Sequence, residues 1–279
     1  MKKTEKTVLV LRTCSADMTS YGGFKWPKRG PVSAPDWVDN FECENGLHGW
    51  LWGEGDGTLG HVDVPDAKWL VVRVIASEVR HGKGHLLGKC KFPRGYVVHC
   101  GDRKSATEYI MRHGASGKAV IGGTVTAGNY GTATAGDYGT ATAGRGGTAM
   151  AGYYGTATAG DYGTATAGYR GTASAGYRGT ASAGDKGTAT AGHGGTAMAG
   201  YYGTATAGDY GTATAGHGGT ASAGYYGTAS AGDKGTICIQ YYDAQSERHR
   251  IAVAYVGENG IMPNRKYTLN DSHEFVEVE

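Results

Sequence analysis

Gly203-Thr204-Ala205-Thr206-Ala207-Gly208-Asp209-Tyr210-Gly211-Thr212-Ala213-Thr214-Ala215-Gly216 contains one eight-residue phrase and most of the next, and the alternation of its side chains decides the fold. The phrase runs from Gly123 to Tyr242 without insertion or deletion. Fourteen octads follow Gly-Thr-Ala-(Thr/Ser/Met)-Ala-Gly-x-x, and a fifteenth, Gly235 to Tyr242, keeps the length but changes the residues. A fixed period without gaps means that each unit makes the same structural step, the mark of a solenoid.

In an extended segment successive side chains point to opposite faces, so the threonines at octad positions 2 and 4 share one face and the alanines at 3 and 5 share the other. The ends of the array tell which face is inside. Val125 stands at position 3 of the first octad, and Ile237 and Ile239 stand at positions 3 and 5 of the last. Terminal repeats are atypical because they close the core against water. Alanine is therefore predicted inside and threonine outside, with the surface position 4 accepting Ser and, at Met150 and Met198, Met. An interior of alanine fills only a narrow gap, which two apposed sheets provide and a triangular coil does not. This favours a flattened coil of 16 residues with Gly-x-x-Gly at each turn, about 35 Å long at ~4.8 Å per rung. The alternative is a 24-residue triangular coil, suggested by aspartate at 137, 161, 185, 209 and 233. A longer duplication does not choose between them: Arg145–Gly192 and His193–Gln240 agree at 40 of 48 positions, and 48 is divisible by both.

Outside the array the chain is ordinary. The formal charge of +2 comes with no basic block, so neither nucleic acid nor an anionic membrane is indicated. The apolar run near the start, Thr7 to Leu11, is too short for a signal peptide or a transmembrane span, which places the expected location in the cytoplasm or on a virion. Five widely spread cysteines fit a reducing compartment. Cys43, His48, Cys90, His99 and Cys100 match no zinc spacing, and no metal or cofactor is implied.

Residues 1–118 read as a small α+β head. Strands are predicted over Lys6–Thr13, Lys68–Ala76, Lys89–Phe92 and Gly95–Cys100, and a short helix is predicted from the capping box Ser105-Ala106-Thr107-Glu108, stopped by Gly114. Its densest chemistry lies between Cys43 and Gly57. If the head is an enzyme, Arg12, His48 and Glu54 are the candidate catalytic groups, beside Trp50 and Trp52, whose rings suit a nucleotide or a sugar. Residues 119–242 are the solenoid. Residues 243–279 read as a C-terminal antiparallel β cap, with Thr236–Tyr242 pairing Ile251–Val256 and Tyr267–Leu269 pairing Glu274–Val278; such a cap protects the open edge of the array.

The octads resemble the repeat of bacterial ice nucleation proteins, which also layers a short period within one of 48 residues. The Thr-x-Thr motif of that family is matched at Thr132/Thr134, Thr140/Thr142, Thr156/Thr158 and Thr164/Thr166, among others, and it implies an ice-binding or water-ordering surface. As a whole, the phrases Gly46-Leu47-His48-Gly49 and Gly101-Asp102-Arg103, the octads and the tail Phe275–Glu279 resemble a group of bacterial and phage or prophage proteins, which implies an architecture and no reaction. The functional expectation is a non-enzymatic structural or interaction protein. Its rigid solenoid displays threonine faces, and the tyrosines at its turns, Tyr153, Tyr154, Tyr201, Tyr202, Tyr225 and Tyr226 among them, serve self-association or a protein partner. Binding of ice or ordered water through the threonines is the alternative.

Overall fold

The computed structural model describes residues 5–278; Met1–Thr4, at the head of the expected non-leader segment, and Glu279 lie outside the described residues. Two compact units are present. One comprises the chain up to Thr124 together with Ala135–Gly139; the other comprises Val125–Thr134 and the chain from Thr140 onward.

The first unit is built on an antiparallel sheet of seven strands. They are β1 (Thr7–Cys14), β2 (Gly30–Ser33), β3 (Leu47–Leu51), β4 (Lys68–Ile75), β5 (Arg80–His81), β6 (Cys90–Phe92) and β7 (Arg94–Gly101), in the order β2-β7-β4-β1-β3-β6-β5. The apolar strands β1 and β4 lie at the centre and pair along their full length. Both faces of the sheet are covered. Val10, Leu70, Val72 and Phe92 pack on one side with Trp26 and Val32, while Leu11, Trp50, Trp69 and Val71 pack on the other with Ala106, Ile110 and Ile121. The helix α1 spans Arg103–Ile110 and begins one turn earlier than its sequence signal. Its N-cap is Asp102, whose carboxylate accepts from the Ser105 N–H at 2.7 Å, so the Ser105 capping box does not form. Gly114 ends the helical segment at φ 133°.

The second unit is a solenoid of 16-residue coils. β8 (Thr124–Ala127) and β9 (Thr132–Thr134) open it, followed by twelve four-residue strands at eight-residue intervals from β10 (Thr140–Ala143) to β21 (Thr228–Ala231). β22 (Thr236–Asp243) carries the fifteenth octad, and β23 (Arg248–Tyr255), β24 (Lys266–Leu269) and β25 (Phe275–Val278) close the chain. Even-numbered octad strands stack in parallel in one sheet and odd-numbered ones in the other, each strand pairing with the one 16 residues on: Thr140 with Thr156, Thr148 with Thr164. The octad alanines from Ala141 to Ala229 are buried between the sheets, and Ile237 and Ile239 close the core at the C-terminal end. At the other end Val125 is half-buried.

Each turn has the Gly N–H donating to the Gly carbonyl three residues back, as Gly187 does to Gly184 at 3.0 Å. The residue before the second glycine is left-handed, as in a type II turn. That position is glycine only at Gly146, Gly194 and Gly218; elsewhere it holds tyrosine, arginine or lysine, such as Tyr202 at φ 52° and Lys186 at φ 56°. The repeat glycines do a different job. A Cβ on Gly184 would lie 2.9 Å from the Gly168 carbonyl carbon of the preceding coil, and one on Gly187 would lie 2.8 Å from the Ala183 Cβ. Glycine is required there for the close approach of backbones, not for its freedom in φ.

The 24-residue rhythm of aspartate also has its explanation. Asp161, Asp185 and Asp209 each use Oδ1 to accept the backbone N–H sixteen residues on, from Tyr177, Tyr201 and Tyr225, all at 2.9 Å. These side chains satisfy turn N–H groups of the next coil. In a 16-residue coil a 24-residue spacing puts successive aspartates on alternate edges, so each edge receives one every third coil.

Candidate functional site

The fold sorts the surface position of every octad onto one of two faces. On the even-strand face, the row at octad position 2 runs Thr140, Thr156, Thr172, Thr188, Thr204, Thr220 and Thr236 in register. The row at position 4 runs Thr142, Thr158, Ser174, Thr190, Thr206, Ser222 and Cys238. β8 adds Thr124 and Thr126 at the outer end. On the odd-strand face the position 4 row is different: Thr134, Met150, Thr166, Ser182, Met198, Thr214 and Ser230. Both methionines fall on this face, and both are exposed, at 39% and 41%. Sequence reading counted methionine and serine together as breaks in the threonine array. A serine keeps the hydroxyl and loses a methyl, whereas a methionine removes the hydroxyl and stands above its neighbours.

The threonines selected from the sequence are thus divided. Thr140, Thr142, Thr156 and Thr158 share the even face; Thr132, Thr134, Thr164 and Thr166 lie on the odd face, either side of Met150. Adjacent parallel strands stand ~4.8 Å apart and alternate residues of one strand ~6.6 Å apart, so the even face is a two-dimensional net of hydroxyl and methyl groups with those two spacings. Because the strands are fixed by backbone ladders on both sides, the net is pre-organised.

The turn tyrosines form two edges. On one, Tyr153 stacks on Tyr169 with ring centroids 5.0 Å apart, and Tyr201 stacks on His217 at 5.0 Å. On the other, Tyr177 stacks on His193 at 5.5 Å and Tyr210 on Tyr226 at 5.4 Å. Tyr153, Tyr154, Tyr201 and Tyr202 therefore share one edge, with Tyr225 and Tyr226 opposite. Arginines join the stacks: the Arg170 guanidinium lies 5.6 Å from the Tyr154 and Tyr169 rings, and that of Arg178 lies 5.4 Å from Tyr177.

In the head, Arg12 donates from Nη1 to the His48 carbonyl at 2.5 Å and lies over the Trp26 ring at 4.4 Å. Burial lowers its pKa to about 10. The His48 imidazole is pushed down to about 4, first by burial and then by Lys89, Arg12 and Lys91, so it is neutral at neutral pH. Its Nε2 and Arg12 Nε are buried without a hydrogen-bond partner. Glu54 is engaged elsewhere, accepting from Lys118 Nζ at 2.6 Å and from the Ala119 N–H at 3.3 Å. Trp50 is core, its Nε1 donating to the Asp56 carbonyl at 2.9 Å, and Trp52 is half-buried at φ 56°. An open cleft of about 350 Å³ lies beside Leu51, Trp52, Glu54, Lys89 and Lys118, and neither Arg12 nor His48 lines it. The Lys89 ammonium rests against Cys43 Sγ. Burial drives the thiols of Cys14 and Cys90 up, to about 11 and about 12, so neither is a ready nucleophile. No helix among the described residues is long and apolar enough to cross a membrane.

A regular hydroxyl net on a parallel two-sheet coil is the feature to set beside known proteins. The repeat is similar to that of ice nucleation proteins. InaU of Pantoea ananas is 40% identical over 111 residues, 40% of this chain and 10% of its own length. The ice nucleation protein of Pseudomonas fluorescens is 42% identical over 111 residues, and that of Xanthomonas campestris pv. translucens 39% over 104, covering 9% and 6% of those proteins. The chain thus spans a tenth or less of the length of these relatives. No known family profile matches the chain, and no solved structure does.

Proposed function

We propose that this protein binds ice, or orders water as ice does, through the even-strand face of its solenoid. The observation that carries this reading is the unbroken double row of threonine and serine on that face, interrupted by no methionine. A surface that holds water in a lattice needs hydroxyl and methyl groups repeating in two dimensions on a rigid backbone, and this net supplies both. Similarity to ice nucleation proteins over the same repeat supports it.

The size of the face sets the mode of action. Eight octad strands, β8 to β22, span about 34 Å at ~4.8 Å per step. An ice embryo survives only above a critical radius, which grows as supercooling lessens. A face this short seeds ice only at deep supercooling, while it can adsorb to crystals that already exist. The expected activity is therefore adsorption and growth modification. The test is growth of a single ice crystal in the presence of the full chain, followed by assay of the protein partitioned into the ice. Enrichment in the ice with faceted growth is expected; exclusion from the ice at every cooling rate would remove the reading.

A second reading is favoured by the stacked, exposed tyrosines. The edges are adhesive strips for self-association or a protein partner, and the solenoid is a rigid spacer between them. Tyrosine offers large area at low entropic cost and is enriched at interfaces. Replacing Tyr153, Tyr154, Tyr201 and Tyr202 with serine would abolish any association made through that edge.

A further inference from the structure

The C-terminal cap protects the alanine core but does not remove the sheet edges; it moves them to β23 and β25, the last strands of the two nine-stranded sheets. β23 pairs antiparallel with β22 from Thr236↔Tyr255 to Asp243↔Arg248, without a bulge. The Val256 N–H continues the ladder, donating to the Gly235 carbonyl at 3.0 Å. In an antiparallel pair the inward-directed backbone groups belong to every second residue. Those of Val256, Ala254 and Ala252 therefore face β22, and those of His249, Ile251, Val253 and Tyr255 face away from the sheet.

These same four residues project onto the even-strand face, opposite Tyr242, Gln240, Cys238 and Thr236. Ile251, Val253 and Tyr255 are 63%, 48% and 53% exposed. An eight-residue edge with outward N–H and C=O groups, an apolar surface row and no proline is a template for another strand. The guards that sheets use against pairing are weak here: Arg250 is turned to Asp243, with Nε 2.7 Å from the carboxylate. By contrast β25 is short and carries Glu277.

We propose that β23 pairs with β23 of a second copy of this chain, antiparallel about a two-fold axis through Ala252 and normal to the sheet. Parity selects this register. With the axis at Ala252, Ile251 opposes Val253 of the second copy and His249 opposes Tyr255, so outward groups meet outward groups at every step. The apolar row of one copy packs beside that of the other, and the arginines at 248 and 250 oppose Val256 and Ala254 rather than each other. A two-fold normal to the sheet keeps both even-strand faces on the same side. The dimer therefore carries one continuous sheet twice as long, with a threonine net at either end. The pairing itself stands on the edge alone; the gain in ice-binding area rests on the function proposed above.

The test is sedimentation of the full chain across a concentration series, with a melting curve for each variant. The wild type is expected to be a dimer and Val253→Lys a monomer with an unchanged melt, its dissociation constant raised about tenfold or more, while Val276→Lys on β25 changes neither. Mixing Ile251→Lys with Val253→Glu chains is expected to restore a dimer, since the lysine of one then opposes the glutamate of the other. A wild type that stays monomeric at about millimolar concentration, weaker than any specific contact of use, would overturn the proposal. So would a dimer that survives Val253→Lys but falls apart when Tyr153, Tyr154, Tyr201 and Tyr202 become serine. A dimer with no ice affinity would leave the pairing standing and remove the proposed function.

Discussion

The two sheets of the solenoid are made from alternate octads of one repeat, share one alanine core and present threonine at position 2 throughout, yet their outer faces have different chemistry. The even face keeps a hydroxyl at position 4 in every octad strand from β8 to β20. The odd face loses it at Met150 and Met198, which sit 48 residues, or three coils, apart. The sheets also end differently, the even one in a long apolar edge and the odd one in a short acidic one. Since the core alanines of both sheets are equally buried, stability does not distinguish the faces. A difference confined to the outer surface has to be explained by what each face meets.

The largest effect is expected where the two faces depend on each other. Ala181 is fully buried between the sheets, and Ala181→Leu has no gap to occupy. It should destabilise the solenoid by about 3 kcal/mol and weaken both faces together, as read by thermal unfolding in circular dichroism. A much smaller loss would mean that the sheets part easily and that their faces are not held in register by the core.

A second lever acts on the head and leaves both faces alone. His48 has a folded pKa of about 4 against an ordinary 6.5, so protonation favours the unfolded state. The stability that comes from keeping it neutral is complete above about pH 6.5 and is lost as the pH falls toward 4, costing about 2 kcal/mol by pH 4.5. His48→Leu should flatten that acid limb in a denaturant titration followed by tryptophan fluorescence, because Nε2 has no hydrogen-bond partner to lose. If the limb is unchanged, the charge change resides elsewhere.

Smaller still is the contribution of the edge aspartates. Asp185→Ala leaves the Tyr201 N–H to water and should cost about 1 kcal/mol, like the loss of an exposed helix cap. Local hydrogen exchange at Tyr201 should quicken while the faces remain intact. The smallest change in stability, a few tenths of a kcal/mol, is expected from Met150→Thr with Met198→Thr, both at exposed positions. That variant sharpens the contrast most, since it gives the odd face the hydroxyl row of the even one. Ice-partitioning assays of that variant should show stronger retention than the wild type.

How far this was legible in the sequence depends on the range of the interaction. Inward alanine and outward threonine follow from strand alternation, and the 16-residue coil follows from the small volume of an alanine core; both are local facts of the octad. The sorting of Met150 and Met198 onto one face could not be read until the coil length was settled, since a 24-residue coil would distribute them differently. The aspartate rhythm pointed toward that longer coil, because its cause, a carboxylate capping an N–H one coil ahead, is a contact between residues distant in sequence. In the head, β1, β4, β6 and β7 were visible as apolar runs. The strands β2, β3 and β5 were not, since Gly30–Ser33, the glycine-rich Leu47–Leu51 and the two-residue Arg80–His81 owe their extended form to neighbours. Grouping His48 with Glu54 failed for the same reason: Lys118, the partner of Glu54, lies 64 residues away along the chain.

The most direct test of the threonine face is a matched pair of variants in one ice-partitioning experiment. One carries Thr158→Lys and Thr190→Lys on the even face, the other Thr166→Lys and Thr214→Lys on the odd face, with equal melting temperatures as the control. The even-face variant is predicted to be excluded from the ice and the odd-face variant to enter it as the wild type does. Equal retention of the two, or loss from the odd-face variant alone, would contradict the account.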